Sequence, residues 1–250
     1  MTRLGSGSAC RSMFGGFVVW DKGCHDNGVD SVSHQIRPES HWPDLRVLIL
    51  VVSDQTKHTS STDGMQSSVE TSSLLHQRLQ TVPQKEEKIT QAIIDRDFQT
   101  FAEITMKDSN QFHAVCLDTY PPISYLTDVS RQIIQLIHMY NKYHSCNKAA
   151  YTFDAGPNAC IYLLEEAVPE LLQLITHFFG SDEKVNGTFV QGIDAPFTDS
   201  QVDVSQFPLQ QNKGAVKYII YTKPGPGPQI LTDPTDSLIS TDGQPANDPR

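Results

Sequence analysis

Two apolar runs, AAYTF (149–153) and ACIYLL (159–164), are separated by the short stretch DAGPN. No continuous helix crosses that separator, because Gly156 weakens a helix and Pro157 removes an amide donor and clashes with the preceding turn. Tyr, Thr, Phe and Ile favour the pleated surface of a strand. The pattern predicts an antiparallel hairpin, so the fold must contain a sheet with antiparallel neighbours. Asp154 stands at the mouth of the turn, between two segments that read as buried. Asp before Gly is ordinary turn chemistry. A carboxylate on a loop held by a rigid scaffold is equally a place for catalysis. The hairpin alone leaves both readings open.

The other elements follow from periodicity. LRVLILVV (45–52) is a continuous run of β-formers, the pattern of a buried central strand. FGGFVVW and AVKYIIYT (215–222) read as further strands. A helix follows the polar loop KHTSSTDGMQ, with Ser67 and Glu70 at capping-box spacing at its entrance. Residues 84–112 carry helical periodicity through Ile89, Ala92, Ile93, Phe98, Phe101, Ala102 and Ile104, broken into two helices at RDF. Val129–Tyr143 reads as a helix with a stripe of Ile133, Ile134, Leu136, Ile137 and Tyr140. EEAVPELLQLITHFF is a helix that tolerates Pro169 near its first turn. GSGSACRS (5–12) reads as a small-residue loop, PPISYL as a connector, and the polar, Pro-rich end as a frayed tail. Strands and helices in groups predict an α+β fold, a two-layer helix-on-antiparallel-sheet sandwich.

Composition narrows the function classes. In 250 residues the hydrophobic fraction of 38% and charged fraction of 19% are those of a globular protein. No run approaches the length of a spanning helix, and the first twenty residues lack the signature of a signal peptide, so a cytosolic protein is expected. The five cysteines (Cys10, Cys24, Cys116, Cys146, Cys160) form no CxxC pair, which supports neither a zinc ribbon nor a redox motif. A formal net charge of −10 argues against a nucleic-acid module. It leaves room for a small anionic ligand, since phosphates are captured by a few local donors.

Several stretches carry donors of that kind. GSGSACR offers the hydroxyls of Ser6 and Ser8, backbone amides at its glycines, and the planar fork of Arg11, a combination that suits a phosphate as well as it suits a flexible linker. HTSSTDGM is a second hydroxyl-rich loop, whose Thr62 fits either a ligand contact or a helix entry. DSNQFH (108–113) mixes Asp, Asn and His without metal-ligand spacing, so His113 reads as structural and no metal-ligating residue is assigned. KPGPGPQ is turn punctuation, with a ligand-lining loop as the alternative.

TMKDSNQFHAVCLDTYPPISYL (105–126) together with YTFDAGPNA resembles the mevalonate diphosphate decarboxylase family, which belongs with galactokinase, homoserine kinase, mevalonate kinase and phosphomevalonate kinase. GSGSACRSMFGGFV, RPESHWPDLRVLILVVS, STDGMQSSVETS and VKYIIYTKPGPGPQIL also resemble it, so the likeness covers nearly the whole chain. It implies ATP-dependent decarboxylation of (R)-5-diphosphomevalonate to isopentenyl diphosphate, carbon dioxide, ADP and phosphate, in isoprenoid and sterol biosynthesis, with ATP and Mg2+ as cofactors. It implies that Asp154 is the catalytic carboxylate. Ser6, Ser8 and Arg11, with the backbone of Gly7, Ala9 and Cys10, would hold the diphosphate and carboxylate end of the substrate, and Thr62 would add a contact. A homodimer is expected, with no nucleic-acid or membrane partner.

Family members carry a sizeable segment ahead of the GSGSACRS region, including a Gly- and Ser-rich ATP phosphate loop that this sequence does not contain. The expectation is therefore an N-terminally truncated chain: 1–55 as the remnant of a substrate- and ATP-binding domain, 56–232 as a complete C-terminal domain, and 233–250 as a flexible tail. The strand LRVLILVV would then lack its flanking half-sheet and keep an open edge. Two alternatives stand beside the decarboxylase: a non-catalytic fragment that associates with an intact subunit, and a related small-molecule kinase.

Overall fold

The computed structural model describes residues 2, 6–52, 60–181, 189–194, 202–233, 237–240 and 243–244. In chain order the regular elements are β1 (Phe17–Trp20), β2 (Ser33–Arg37), β3 (Leu45–Val51), α1 (Ser61–Thr71), α2 (Ser73–Asp95), α3 (Phe98–Asp118), α4 (Asp128–Tyr143), β4 (Ala149–Phe153), β5 (Ala159–Leu164), α5 (Val168–Phe179), β6 (Val190–Gly192) and β7 (Tyr218–Thr222). Short 3-10 turns lie ahead of and between them, the longest being Ser8–Met13. The chain divides into two compact units, Met1–His41 with Gly225–Arg250, and Trp42–Pro224.

In the first unit β1 and β2 pair antiparallel, with Trp20 opposite Ser33. The second unit is built on a five-stranded sheet in the order β4-β5-β3-β7-β6. The LRVLILV run becomes β3, its central strand, antiparallel to β5 on one side and β7 on the other. The open edge expected beside β3 is therefore absent. Strands distant in sequence, ACIYLL and YIIYT, take both of its ladders, which no local pattern reveals. The same pairing places 45–51 with the later residues, so the units divide at His41/Trp42, ahead of the boundary at 55 read from the sequence. The last strand, β6, runs parallel to β7, which makes the sheet mixed where a wholly antiparallel one is expected.

Alternating buried and half-exposed residues in β5 and β7 mark a sheet with one face covered. Helices α3 and α4 pack on β4. Leu136, Ile137 and Tyr140 of α4 are fully buried, as the i, i+3, i+4 stripe requires, together with Ile161, Leu163 and Ile219 from the strands. Helix α5 buries Val168, Leu171, Leu172, Leu174, Ile175, Phe178 and Phe179, and carries Pro169 at its start. There the missing amide would have had no intrahelical partner.

Two helix boundaries differ from the sequence reading. Helix α1 begins at Ser61, capped by the Ser60 hydroxyl, which accepts from the Asp63 amide at 3.1 Å. Ser67 and Glu70 therefore lie inside the helix, and the capping box expected there does not form. Ser68 is buried one turn after Gly64, and its hydroxyl meets that of Thr119 at 2.7 Å. Helix α2 runs from Ser73 rather than from residue 84, through Pro83, to a stop at Arg96, whose φ of 56° is left-handed. Its first half is largely exposed, Leu74 and Leu79 included. Arg78 ties it to α3 through a fork onto Asp108, at 2.6 and 2.8 Å. The break at RDF is where the sequence places it: Asp97 caps α3 by accepting from the Thr100 amide.

Candidate functional site

The GSGSACRS stretch is a 3-10 helix over Ser8–Met13, not a flexible loop. Its small residues permit the tight winding, and the winding consumes amides. The Ala9 amide donates to the Ser6 carbonyl at 3.1 Å, and the Cys10 amide to the Gly7 carbonyl at 3.4 Å. These two amides are thus committed within the turn, against the expectation that they face a ligand.

A cleft of about 690 Å3 in the first unit is lined by Ser8, Ala9, Arg11 and Ser12, and by Gly225 and Gly227 of the KPGPGP stretch. KPGPGP, read mainly as turn punctuation, thus also lines a cavity. Gly227 has φ +87°, and a Cβ there would come within 2.6 Å of the Gly15 nitrogen. A larger residue would push the two strands of chain apart. Ser6, Gly7 and Cys10 do not line the cleft. Cys10 Sγ lies 2.8 Å from Ser33 Oγ, and Gly7 sits under Trp20, where a Cβ would be 2.9 Å from the indole. That indole is fixed by donating from Nε1 to Ser31 Oγ at 3.0 Å, and the Arg11 guanidinium lies 5.8 Å from its centroid. Stacking of this kind orients the fork while leaving its N–H groups free to bond an anion.

In the second unit the hairpin β4–β5 projects Asp154. Strand β4 is an edge strand, and edges leave backbone groups unpaired. Here helix side chains satisfy them at the two ends of the strand. Asn141 of α4 accepts from the Ala149 amide at 3.0 Å and donates to its carbonyl at 2.8 Å. At the other end the Phe153 amide donates to Ser109 Oγ at 3.1 Å, and His113 Nε2 donates to the Phe153 carbonyl at 3.3 Å. The turn is pinned as well: Ser130 Oγ donates to the Pro157 carbonyl, and the Val52 amide to Asn158 Oδ1.

Asp154 itself is exposed. Its Oδ1 accepts from the Ala155 amide at 2.8 Å, and its carbonyl accepts from the Gly156 amide at 2.7 Å. Among the described residues Oδ2 accepts no hydrogen bond. One carboxylate oxygen is thus held while the other is uncommitted.

Among the described residues three titratable side chains feel this charge. Burial pushes the His113 imidazole below its ordinary pKa, against the Phe153 carbonyl and the Asp154 carboxylate, which both favour protonation. Burial, then Asp154, pushes the Cys116 thiol up. Burial raises the Tyr125 hydroxyl as well, with Cys116, Asp154 and Asp63 adding to it.

Tyr125 links two parts of the site that the sequence leaves apart. Its hydroxyl donates to the Ser60 carbonyl at 3.4 Å, at the cap of α1, while it lies within the field of Asp154. Thr62 is exposed in the first turn of that helix. Reading PPISYL as a connector passes over Tyr125, because nothing in a Pro-Pro segment signals where its aromatic residue will dock. The described residues contain no group of three or more His, Cys, Asp or Glu side chains able to hold a metal ion.

Comparison with known proteins adds a family. The model of the mevalonate 5-diphosphate decarboxylase C-terminal domain matches residues 47–231, and that of the diphosphomevalonate decarboxylase-like N-terminal domain matches residues 1–33. The chain is 52% identical to rat (Rattus norvegicus) diphosphomevalonate decarboxylase over 251 residues, covering 99% of this chain and 62% of the rat protein. It therefore spans less than two thirds of that relative's length. Its structure is similar to that of mevalonate diphosphate decarboxylase from Trypanosoma brucei, with a TM-score of 0.87 at 37% identity, over 95% of this chain and 64% of that one. It is also similar to MDDEF in complex with MVAPP, AMPPCP and magnesium, with a TM-score of 0.62 at 32% identity, over 70% of this chain and 52% of that one. With a family model matched across most of its length, from the central strand to past the last one, the chain belongs to the mevalonate 5-diphosphate decarboxylase family.

Proposed function

We propose that this chain serves the ATP-dependent decarboxylation of (R)-5-diphosphomevalonate to isopentenyl diphosphate, carbon dioxide, ADP and phosphate. The observation that carries the reading is Asp154, an exposed carboxylate on a pinned hairpin turn with Oδ1 held and Oδ2 uncommitted. A tertiary hydroxyl is a poor nucleophile and a poor leaving group. A carboxylate within hydrogen-bond reach orients it and accepts its proton, an effect of about 10²–10⁴-fold. Mg-ATP, as co-substrate, supplies the phosphoryl group that turns the hydroxyl oxygen into a leaving group.

The phosphate then departs with the C–O bonding pair, and positive charge develops on the tertiary carbon. The bond to the substrate carboxylate breaks, its electron pair forms the new C=C bond, and carbon dioxide leaves. A negative Asp154 stabilises the developing cation, by up to about 4 kcal/mol for unit charges about 4 Å apart at an effective dielectric of about 20.

We assign the anionic end of the substrate to the cleft of the first unit, where the Ser8 hydroxyl donates and Arg11 bonds two oxygens with its fork. Ser6, Gly7, Ala9 and Cys10 build the turn that presents Ser8 and Arg11, and Gly7 admits the indole against which Arg11 rests. Thr62 is assigned a further substrate contact. MDDEF binds AMPPCP and magnesium, which supports Mg-ATP as co-substrate here. Mg2+ retains most of its waters and binds mainly nucleotide phosphates, so it would enter with the nucleotide. The reading extends to a role in isoprenoid and sterol biosynthesis, a cytosolic setting and a homodimer, the last to be tested by sedimentation.

The test is release of labelled carbon dioxide from carboxyl-labelled mevalonate 5-diphosphate by the purified chain with Mg-ATP. Release should require the nucleotide, and Asp154→Asn should reduce it by about 10²–10⁴-fold. An Asn variant with undiminished turnover removes Asp154 from the chemistry. Phosphate transfer without carbon dioxide would indicate a kinase, and substrate binding without turnover a chain that acts through association.

A further inference from the structure

Asp154 comes directly after Phe153, the last residue of the edge strand β4. An edge residue whose N–H and C=O turn outward would normally bond a neighbouring strand or water. At Phe153 both groups meet α3 instead: the amide meets Ser109 Oγ at 3.1 Å, and the carbonyl meets His113 Nε2 at 3.3 Å. Ser109 and His113 are four residues apart, one helical turn, so both face the strand. They are only 4% and 6% exposed. The His113 ring also stands edge-on to the Phe153 ring, with centroids 6.3 Å apart and planes at 78°. Next to them Asn110 Oδ1 accepts from the Tyr151 hydroxyl at 3.0 Å.

Resting on the decarboxylase reading, we infer that Ser109 and His113 are positioning residues that hold the Phe153 backbone so that Asp154 presents Oδ2 in one orientation. Two hydrogen bonds fix the backbone just ahead of Asp154, and those donated by the Ala155 and Gly156 amides fix the turn just beyond it. The carboxylate then has little left to vary except its own rotamer, and the Ala155 amide can select that rotamer only while the backbone on either side is held. Protection of an edge strand alone would not require this arrangement at Phe153 in particular. Asn141 provides the comparison, because it caps the same edge at Ala149, about 13 Å further along the strand and away from the turn.

Three-bond couplings across the Asp154 χ1 angle in labelled protein read the orientation without any need for turnover. The chain should show a single rotamer, His113→Leu and Ser109→Ala an averaged one, and His113→Gln, which keeps a donor near the Nε2 position, a single one again. Asn141→Leu should lower stability while leaving the Asp154 couplings unchanged. In the decarboxylase assay His113→Leu should lose about 10²-fold in kcat with little change in KM, the loss expected for a misplaced reacting group, and His113→Gln should recover most of it. Couplings that stay unchanged in both His113→Leu and Ser109→Ala, or that Asn141→Leu disturbs equally, overturn the inference. Should His113→Leu fail to fold, Ser109→Ala carries the same test. A chain that releases no carbon dioxide, or an Asp154→Asn variant that works as well as the parent, sinks the decarboxylase reading instead, and the couplings then decide the positioning role alone.

Discussion

Burial decides what His113 does. Its imidazole is held below the ordinary pKa by desolvation, even though the Phe153 carbonyl and the Asp154 carboxylate pull the other way. The native state therefore prefers the neutral ring, and the unfolded chain binds the proton more readily. A group of this kind contributes stability that is fully present above its unfolded value, about 6.5. That contribution is lost as pH falls from there toward the lower folded value. Urea midpoints of the chain and of His113→Gln, measured from pH 8 to pH 5, should converge as the pH drops, because Gln does not titrate. A gap that widens on acidification would reverse the sign of this argument. DSNQFH reads as structural from its spacing, and in the fold His113 is buried and meets the Phe153 carbonyl. Which atoms His113 would touch was not legible, because Phe153 lies forty residues further along the chain. Ser8 and Arg11 stand out by residue type, whereas the loss of the Ala9 and Cys10 amides to the 3-10 turn emerges only once the chain has wound.

At the level of single elements, Asn141 shows how a helix closes a sheet edge. It lies in α4 and is 7% exposed, and its amide meets both backbone groups of the fully buried Ala149 as well as the Lys148 amide at 2.9 Å. Asn141→Leu keeps the size of the side chain but strands a buried N–H and a buried C=O, each worth about 1–3 kcal/mol. Denaturant unfolding should show a loss of about 2–4 kcal/mol, and Asn141→Asp, which still accepts from both amides but cannot donate, a smaller one. A neutral Leu variant would mean that water replaces the side chain. The hairpin β4–β5, helix α4 and helix α5 are legible in sequence because each carries its own periodicity and breaker, the Gly156-Pro157 turn and Pro169 among them. The first half of α2 is not. Its apolar residues are few, with Leu74 and Leu79 exposed, Pro83 interrupts it, and it is tied to α3 by Arg78, with burial working to raise the Asp108 pKa while Arg78 and Lys85 overcome it and hold it low.

Across the whole molecule the hydrophobic core is distributed unevenly. Among the described residues of the first unit Phe17 is the sole buried hydrophobic side chain, while the second unit buries hydrophobic side chains in β3, β4, β5 and β7 and in α3, α4 and α5. Two short strands with so little buried surface are marginal alone, and local opening tracks burial and contact density. Amide hydrogen exchange should therefore be fast over β1 and β2 and slowest over β3, β5 and α5. Equal protection in the two units would contradict this. Periodicity, breakers and residue types along the chain are enough to establish an α+β fold, its hairpin, most of its helices and the carboxylate at the hairpin turn, because each depends on neighbours within a few residues. Resemblance of those same blocks is enough to recognise the family. The partners of β3, the parallel β6, the early start of α2, the docking of Tyr125 and the grip of Ser109 and His113 on Phe153 all pair groups tens of residues apart. Such contacts arise from burying the apolar face of the sheet and satisfying its edge at the same time, a requirement of the assembled molecule that no local stretch encodes.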